Sequence, residues 1–186
     1  MSSLPISQLP ELTGLSSDAE LPVSQGGVTY KIKRGNMATG KFYGSFYHST
    51  TQSGFTANTT YVLSASTISE NNGITVNNGT NFTVSSGATY NLQFSAQVQK
   101  TQGGSSQDMY IWLRKNGTDV PSSNTKITFA NNGVLLVASW NFVITLLANE
   151  YLQLAFQVTD PNIIVFAAPS NSIPAVPSVI VTLVQI

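Results

Sequence analysis

No cysteine occurs in this chain, and His48 is its only histidine. The first absence excludes a disulfide framework, a thiol nucleophile and a cysteine-built zinc site. The second makes any Ser-His-Asp arrangement depend on His48 alone, and no Gly-x-Ser-x-Gly elbow accompanies it. Charge is also scarce. Eight basic and eight acidic residues make up 9% of the 186, and the net charge is zero. A chain without an excess of Lys and Arg has no electrostatic footprint for nucleic acid. Glu70, Asp108, Asp119, Glu150 and Asp160 each fall in a turn or loop phrase, where carboxylates commonly bond the backbone. Neither a glycosidase pair nor a dense calcium loop is read from them. The expectation is a protein without enzymatic activity, cofactor or metal.

Long apolar runs are missing too. Residues 161–186 carry no charge but are broken by Pro161, Pro169, Pro174 and Pro177, and the uncharged run 127–149 contains Asn131, Asn132, Gly133 and Asn141. Neither reads as a membrane helix. The first fifteen residues have no basic segment followed by an apolar one, so they do not read as a secretory signal. A soluble chain made in a cytoplasm, with no membrane insertion, is expected.

What fills the chain instead is Ser, Thr, Asn and Gln, 70 residues in all, beside a 41% hydrophobic fraction that argues against disorder. Composition changes near residue 40. Residues 1–40 repeat Leu-Pro at Leu4-Pro5, Leu9-Pro10 and Leu21-Pro22, and proline pushes the residue before it out of helical space. This segment reads as an extended, irregular arm, either docking on a partner or loose in solvent. From residue 41 the pattern is β. In 90–99, Tyr90, Leu92, Phe94, Ala96 and Val98 alternate with polar residues, one buried and one wet face. Residues 109–115 and 151–158 alternate likewise, and Asn-Gly pairs at 72–73, 78–79, 116–117 and 132–133 mark turns. Further strands are expected at 42–48, 61–66, 74–76, 81–84 and 125–129. No helical period is found. Many short strands at regular spacing predict an all-β sandwich or jelly roll.

Three segments do not alternate cleanly: 134–147, 163–167 and the last strand, where Val179, Val181 and Leu183 face one way and Ile180, Val184 and Ile186 the other. A sandwich buries one face of a strand in its own core, so a second apolar face needs a cover. An obligate oligomer is expected, with Val143, Ile164, Phe166, Val179, Val181 and Leu183 at its interface. The alternative is a large core with covering loops. Tyr43, Tyr47, Tyr61 and Tyr110 read as ordinary strand residues rather than as platforms for sugars.

The arm, with residues 6–10 and 21–30 and Gln25-Gly26-Gly27 at its centre, resembles the leader of tailed-bacteriophage fibre and virion proteins. The remainder resembles the trimeric jelly roll of the tumour necrosis factor and complement globular-head superfamily in its phage form. The carrying phrases are Gly87-Ala88-Thr89-Tyr90, Trp112-Leu113-Arg114-Lys115-Asn116-Gly117, Leu147-Ala148-Asn149-Glu150-Tyr151-Leu152-Gln153-Leu154 and Pro177-Ser178-Val179-Ile180-Val181-Thr182. In the third, Asn149-Glu150 replaces the usual Gly-Asp. The resemblance implies a homotrimer, with residues 1–40 as a virion-anchoring arm and 41–186 as the jelly-roll trimerisation domain. Ile6, Leu9, Leu21, Val23, Tyr30, Lys31, Lys33 and Arg34 would contact phage capsid or tail proteins. The expected role is a capsid decoration or cement protein on the virion surface, since no heptads or repeats build a fibre shaft. The alternatives are a short tail fibre or baseplate protein binding a host-surface glycan, and a secreted sugar-binding jelly roll.

Overall fold

The computed structural model of the chain describes residues 20–33 and 40–186. The chain forms two compact units, Met1–Gly40 and Lys41–Ile186. In the first, β1 (Glu20–Gln25) and β2 (Val28–Lys33) pair antiparallel. The sequence reading expected an irregular arm here; a hairpin forms because Gly26 and Gly27 both take positive φ, 59° and 78°. Consecutive positive φ values give a two-residue turn whose twist matches the strands. Pro22 is tolerated because a two-stranded ribbon has only edge strands. Ile6, Leu9 and Arg34 lie outside the described residues.

The second unit is all-β, with no helix among its described residues. Its strands are β3 (Tyr43–His48), β4 (Thr60–Val62), β5 (Thr67–Asn72), β6 (Ile74–Asn77), β7 (Asn81–Val84), β8 (Ala88–Lys100), β9 (Gln107–Lys115), β10 (Thr118–Asp119), β11 (Thr125–Phe129), β12 (Leu135–Leu146), β13 (Tyr151–Val158), β14 (Ile163–Val165) and β15 (Val179–Gln185). A six-stranded sheet runs β12-β8-β15-β3-β5, with β14 also on β8. A seven-stranded sheet runs β10-β9-β13-β7-β6, with β11 on β9 and β4 on β13. All pairings are antiparallel, and most sheet neighbours are distant in sequence. That interleaving of two sheets makes the sandwich a jelly roll.

The clean alternation of β8 survives intact: Tyr90, Leu92, Phe94, Ala96 and Val98 point into the core. From the other sheet, Met109, Ile111, Leu113, Leu152, Leu154, Phe156 and Val158 meet them. Phe46 of β3 and Phe82 of β7 join the two sheets, with ring centroids 5.3 Å apart. Both are fully buried. Phe82→Ala is therefore expected to lower the unfolding free energy by about 3–5 kcal/mol, through lost transfer energy and the cavity left behind. Urea unfolding midpoints at constant slope will measure it; a loss under about 1 kcal/mol would show that this pair does not tie the sheets.

Candidate functional site

Two surfaces of the jelly roll are open to partners. The first is the outer face of the six-stranded sheet. Strand register lines its residues up in rows: Val143, Asn91, Val184 and Tyr43; then Asn141, Gln93, Thr182 and Ser45; then Ser139, Ser95, Ile180 and Tyr47. None of these twelve is charged; the edge strand β5 adds Glu70, opposite Ser45, to the second row. Val137 is 59% exposed, Val143 61% and Ile180 41%. Covering such side chains completely is worth about 1.5–3 kcal/mol each.

This register corrects half of the expected interface. Val179, Val181 and Leu183 are fully buried in the chain's own core, opposite Ala96, Phe94 and Leu92 of β8. They cannot present themselves to a second copy. In β15 both faces are apolar, and a shift of one residue exchanges them; the partner strand β8 decides which is inside. Val143 and Ile164 do face outward, Val143 beside Asn91 and Ile164 beside Gln99. Eight residues of β8 separate them, about 27 Å, so they mark opposite ends of the face. Phe166 is half-buried just beyond β14, its N–H donating to Gln97 O at 2.7 Å.

On the hairpin, Leu21 stands opposite Ile32 and Val23 opposite Tyr30, which puts them on one face. Val23 and Tyr30 are exposed. The opposite face holds Pro22 and Lys31, and Lys31 Nζ bonds Glu20 Oε1 at 2.9 Å. Lys33 ends β2.

The second surface is a groove of about 530 Å³ on the outer face of the seven-stranded sheet. Its floor is Tyr110 and Trp112, two residues apart on β9 and so on one face. One wall is the loop between β10 and β11, with Val120, Ser122 and Asn124; the other holds Gln157, Thr159 and Asn58. Ser123 fixes the loop: Leu113 N–H donates to its hydroxyl at 3.0 Å, and the hydroxyl donates to Val120 O at 2.7 Å. Ser122 and Asn58 take φ values of 60° and 59°. Asn58 is tied by its N–H to Val158 O at 2.8 Å. The Trp112 indole N–H donates to Asp119 Oδ1 at 2.7 Å, and Arg114 Nε donates to the same oxygen at 2.5 Å. The Arg114 guanidinium lies 5.9 Å from the Trp112 ring centre. These two hydrogen bonds, from Arg114 first and then Trp112, hold the Asp119 carboxyl below its usual value.

Of the other carboxylates read as loop residues, Glu70 lies instead on the exposed edge strand β5, and three are spent on their neighbours. Asp108 accepts from Thr128 Oγ1 at 2.7 Å and stands 3.5 Å from Lys126 Nζ, which keeps its carboxyl low. Glu150 is held low by Lys115 at 2.6 Å and by the Leu147 N–H. Asp160 Oδ1 accepts from the Asn162 N–H at 2.8 Å. His48 ends β3 and sits among hydroxyls: Nε2 is 2.9 Å from Thr50 Oγ1, and Nδ1 is 3.2 Å from Ser66 Oγ. Among the described residues neither ring nitrogen bonds a carboxylate, so the charge arrangement that activates a serine is not formed there. Of the groove, sequence reasoning weighed Tyr110 as a sugar platform and Asp119 as a catalytic carboxylate, and set both aside. The signal for Trp112 was present: Met109, Ile111 and Leu113 take the core side of β9, which leaves two aromatics together on the wet side.

No protein-family model matches the sequence, and no curated protein matches it. Among solved structures the chain is similar to the globular domain of zebrafish complement 1qA protein. The two are 13% identical over 79% of this chain and 98% of that one, with a TM-score of 0.45. The class defined here, an all-β jelly roll, stands on the strand order and burial given above.

The depressed carboxyl of Asp119 has a pH consequence. Its contribution to stability is complete above the unfolded value, about 3.9, and is lost as pH falls through the lower folded value. The carboxylate is exposed, so the effect is small. Asp119→Asn should flatten the acid limb of a plot of urea midpoint against pH. It should also abolish the acid-induced shift in Trp112 emission; an unchanged shift would mean that the indole is oriented by something else.

Proposed function

We propose that this chain is a non-enzymatic structural protein of a tailed-phage particle. It would act as a homotrimeric capsid decoration or cement protein attached through residues 1–40. The observation that carries the assembly is the partly apolar outer face shared by β12, β8, β15 and β3, whose three rows carry no charge until Glu70 on the edge strand β5. Rows without ionised groups lose little on desolvation, and burial of Val137, Val143 and Ile180 rewards contact. Three copies arranged in a ring satisfy every such face with one repeated contact. The hairpin supports the anchor: it carries Leu21, Val23, Tyr30 and Ile32 on one face, and a two-stranded ribbon alone is marginal in water. Docked on a repeating lattice, three such arms would act together through their effective concentration. The protein would be made in the host cytoplasm and end on the virion surface. The groove on β9 favours a second reading, a short tail fibre or baseplate protein that binds a host-surface glycan.

Ile180→Asp should leave a folded monomer in sedimentation velocity, because the carboxylate stays in water until copies meet. Val181→Asp should instead unfold the chain, since it puts a charge against Phe94. A soluble trimer of Ile180→Asp would place the contact elsewhere.

Location is tested by immunogold labelling of intact particles, using antibody to residues 41–186. Gold over the whole head is expected. Gold at the tail alone selects the fibre reading, and unlabelled particles remove the virion role. Added chain lacking residues 1–35 should fold but not restore label to particles stripped of the protein; restored label would end the anchor assignment.

A further inference from the structure

We infer that the groove between Tyr110, Trp112 and the loop joining β10 to β11 is a binding site for a neutral saccharide unit. Four features point to this ligand class. The floor is aromatic. The C–H face of a pyranose ring is apolar and gains by leaving water for such a surface. The rim supplies amides and a hydroxyl: among the described residues, the side chains of Asn58, Ser122, Asn124 and Gln157 make no hydrogen bond to the rest of the chain. Each carries a donor and an acceptor, the combination that vicinal sugar hydroxyls require.

The groove also lacks free charge. Its one carboxylate, Asp119, is shared by Arg114 and Trp112, so nothing remains to offset the desolvation of an acidic or basic ligand. Finally, the walls are set before a ligand arrives. The Ser123 hydroxyl pins one to β9, and the Asn58 backbone bond pins the other to β13. Rim residues held at positive φ are an unusual arrangement for serine, and a site already in shape loses little freedom on binding. The volume, about 530 Å³, lies within the range of small-ligand sites. This inference deepens the glycan-binding reading of the same groove by naming its ligand class, and it does not depend on where, or whether, the protein stands on a particle.

The test uses the full chain on an array of neutral glucan, mannan, galactan and N-acetylhexosamine oligomers, with sialylated and sulfated glycans beside them. The strongest neutral oligomer is then titrated while tryptophan emission is followed. Retention by a neutral class is expected, with quenching that persists in Trp140→Phe. Tyr110→Ala and Asn124→Ala should each weaken binding about tenfold. If Tyr110→Ala also lowers the melting temperature, the loop variant Asn124→Ala decides. The inference is overturned by an array silent for neutral oligomers, by selection of acidic glycans, or by undiminished binding in Asn124→Ala.

Discussion

The strict alternation of β8 is the constraint on which the rest of the jelly roll depends. Along its thirteen residues every second side chain from Tyr90 to Val98 is apolar and buried, so this strand has only one possible inner face. Its neighbours have no such clarity. β12 and β15 carry apolar residues on both sides and take their orientation from register: Phe142 opposite Leu92, Ala138 opposite Ala96, Leu183 opposite Leu92. The alternation continues to Lys100, which is fully buried. Its ammonium donates to the Ser105 carbonyl, so the last inward position is satisfied by folding the following loop back over the strand.

The same dependence explains what could be read from the sequence. The strands at 42–48, 74–76, 81–84, 90–99, 109–115, 125–129 and 151–158 were visible because alternation or an Asn-Gly turn framed them, and all are present. β5 was not visible, since its sequence TISENN is largely polar and exposed, an edge strand with little to bury. The two-residue β10 carries no period of its own. The face of β15 that meets the core was not recoverable from β15 alone, because parity in a two-faced strand belongs to the pair rather than the strand. The groove was half visible: Tyr110 and Trp112 stand out on β9, whereas Asn58 and Asn124 join them only through folding.

Scarcity of charge acts differently on the two sheets. The three ion pairs found among the described residues 41–186 are Arg114–Asp119, Lys115–Glu150 and Lys126–Asp108. All belong to strands or turns of the seven-stranded sheet. The six-stranded sheet forms none of these, and the only charged residues its strands carry are Glu70, on the edge strand β5, and the buried Lys100 of β8. Surface ion pairs add little to stability, so their placement is better understood through solvation. Most charged groups are kept where water remains, and the buried Lys100 ammonium is instead bonded to the Ser105 carbonyl.

From this asymmetry follows an order of events in the proposed assembly. Covering the six-stranded sheet in the proposed trimer would turn the seven-stranded sheet outward in every copy, and with it the groove on β9. A single saccharide contact in an open, neutral groove is weak, because no charge-assisted bond contributes. Three grooves held by one such trimer, and many trimers on one lattice, would convert weak contacts into a durable attachment through effective concentration alone. A low-charge sequence therefore suits both tasks. In this proposal the uncharged rows would let one sheet meet its copies, and on the other sheet the pairing of the groove's carboxylate with Arg114 and Trp112 would leave uncharged partners favoured.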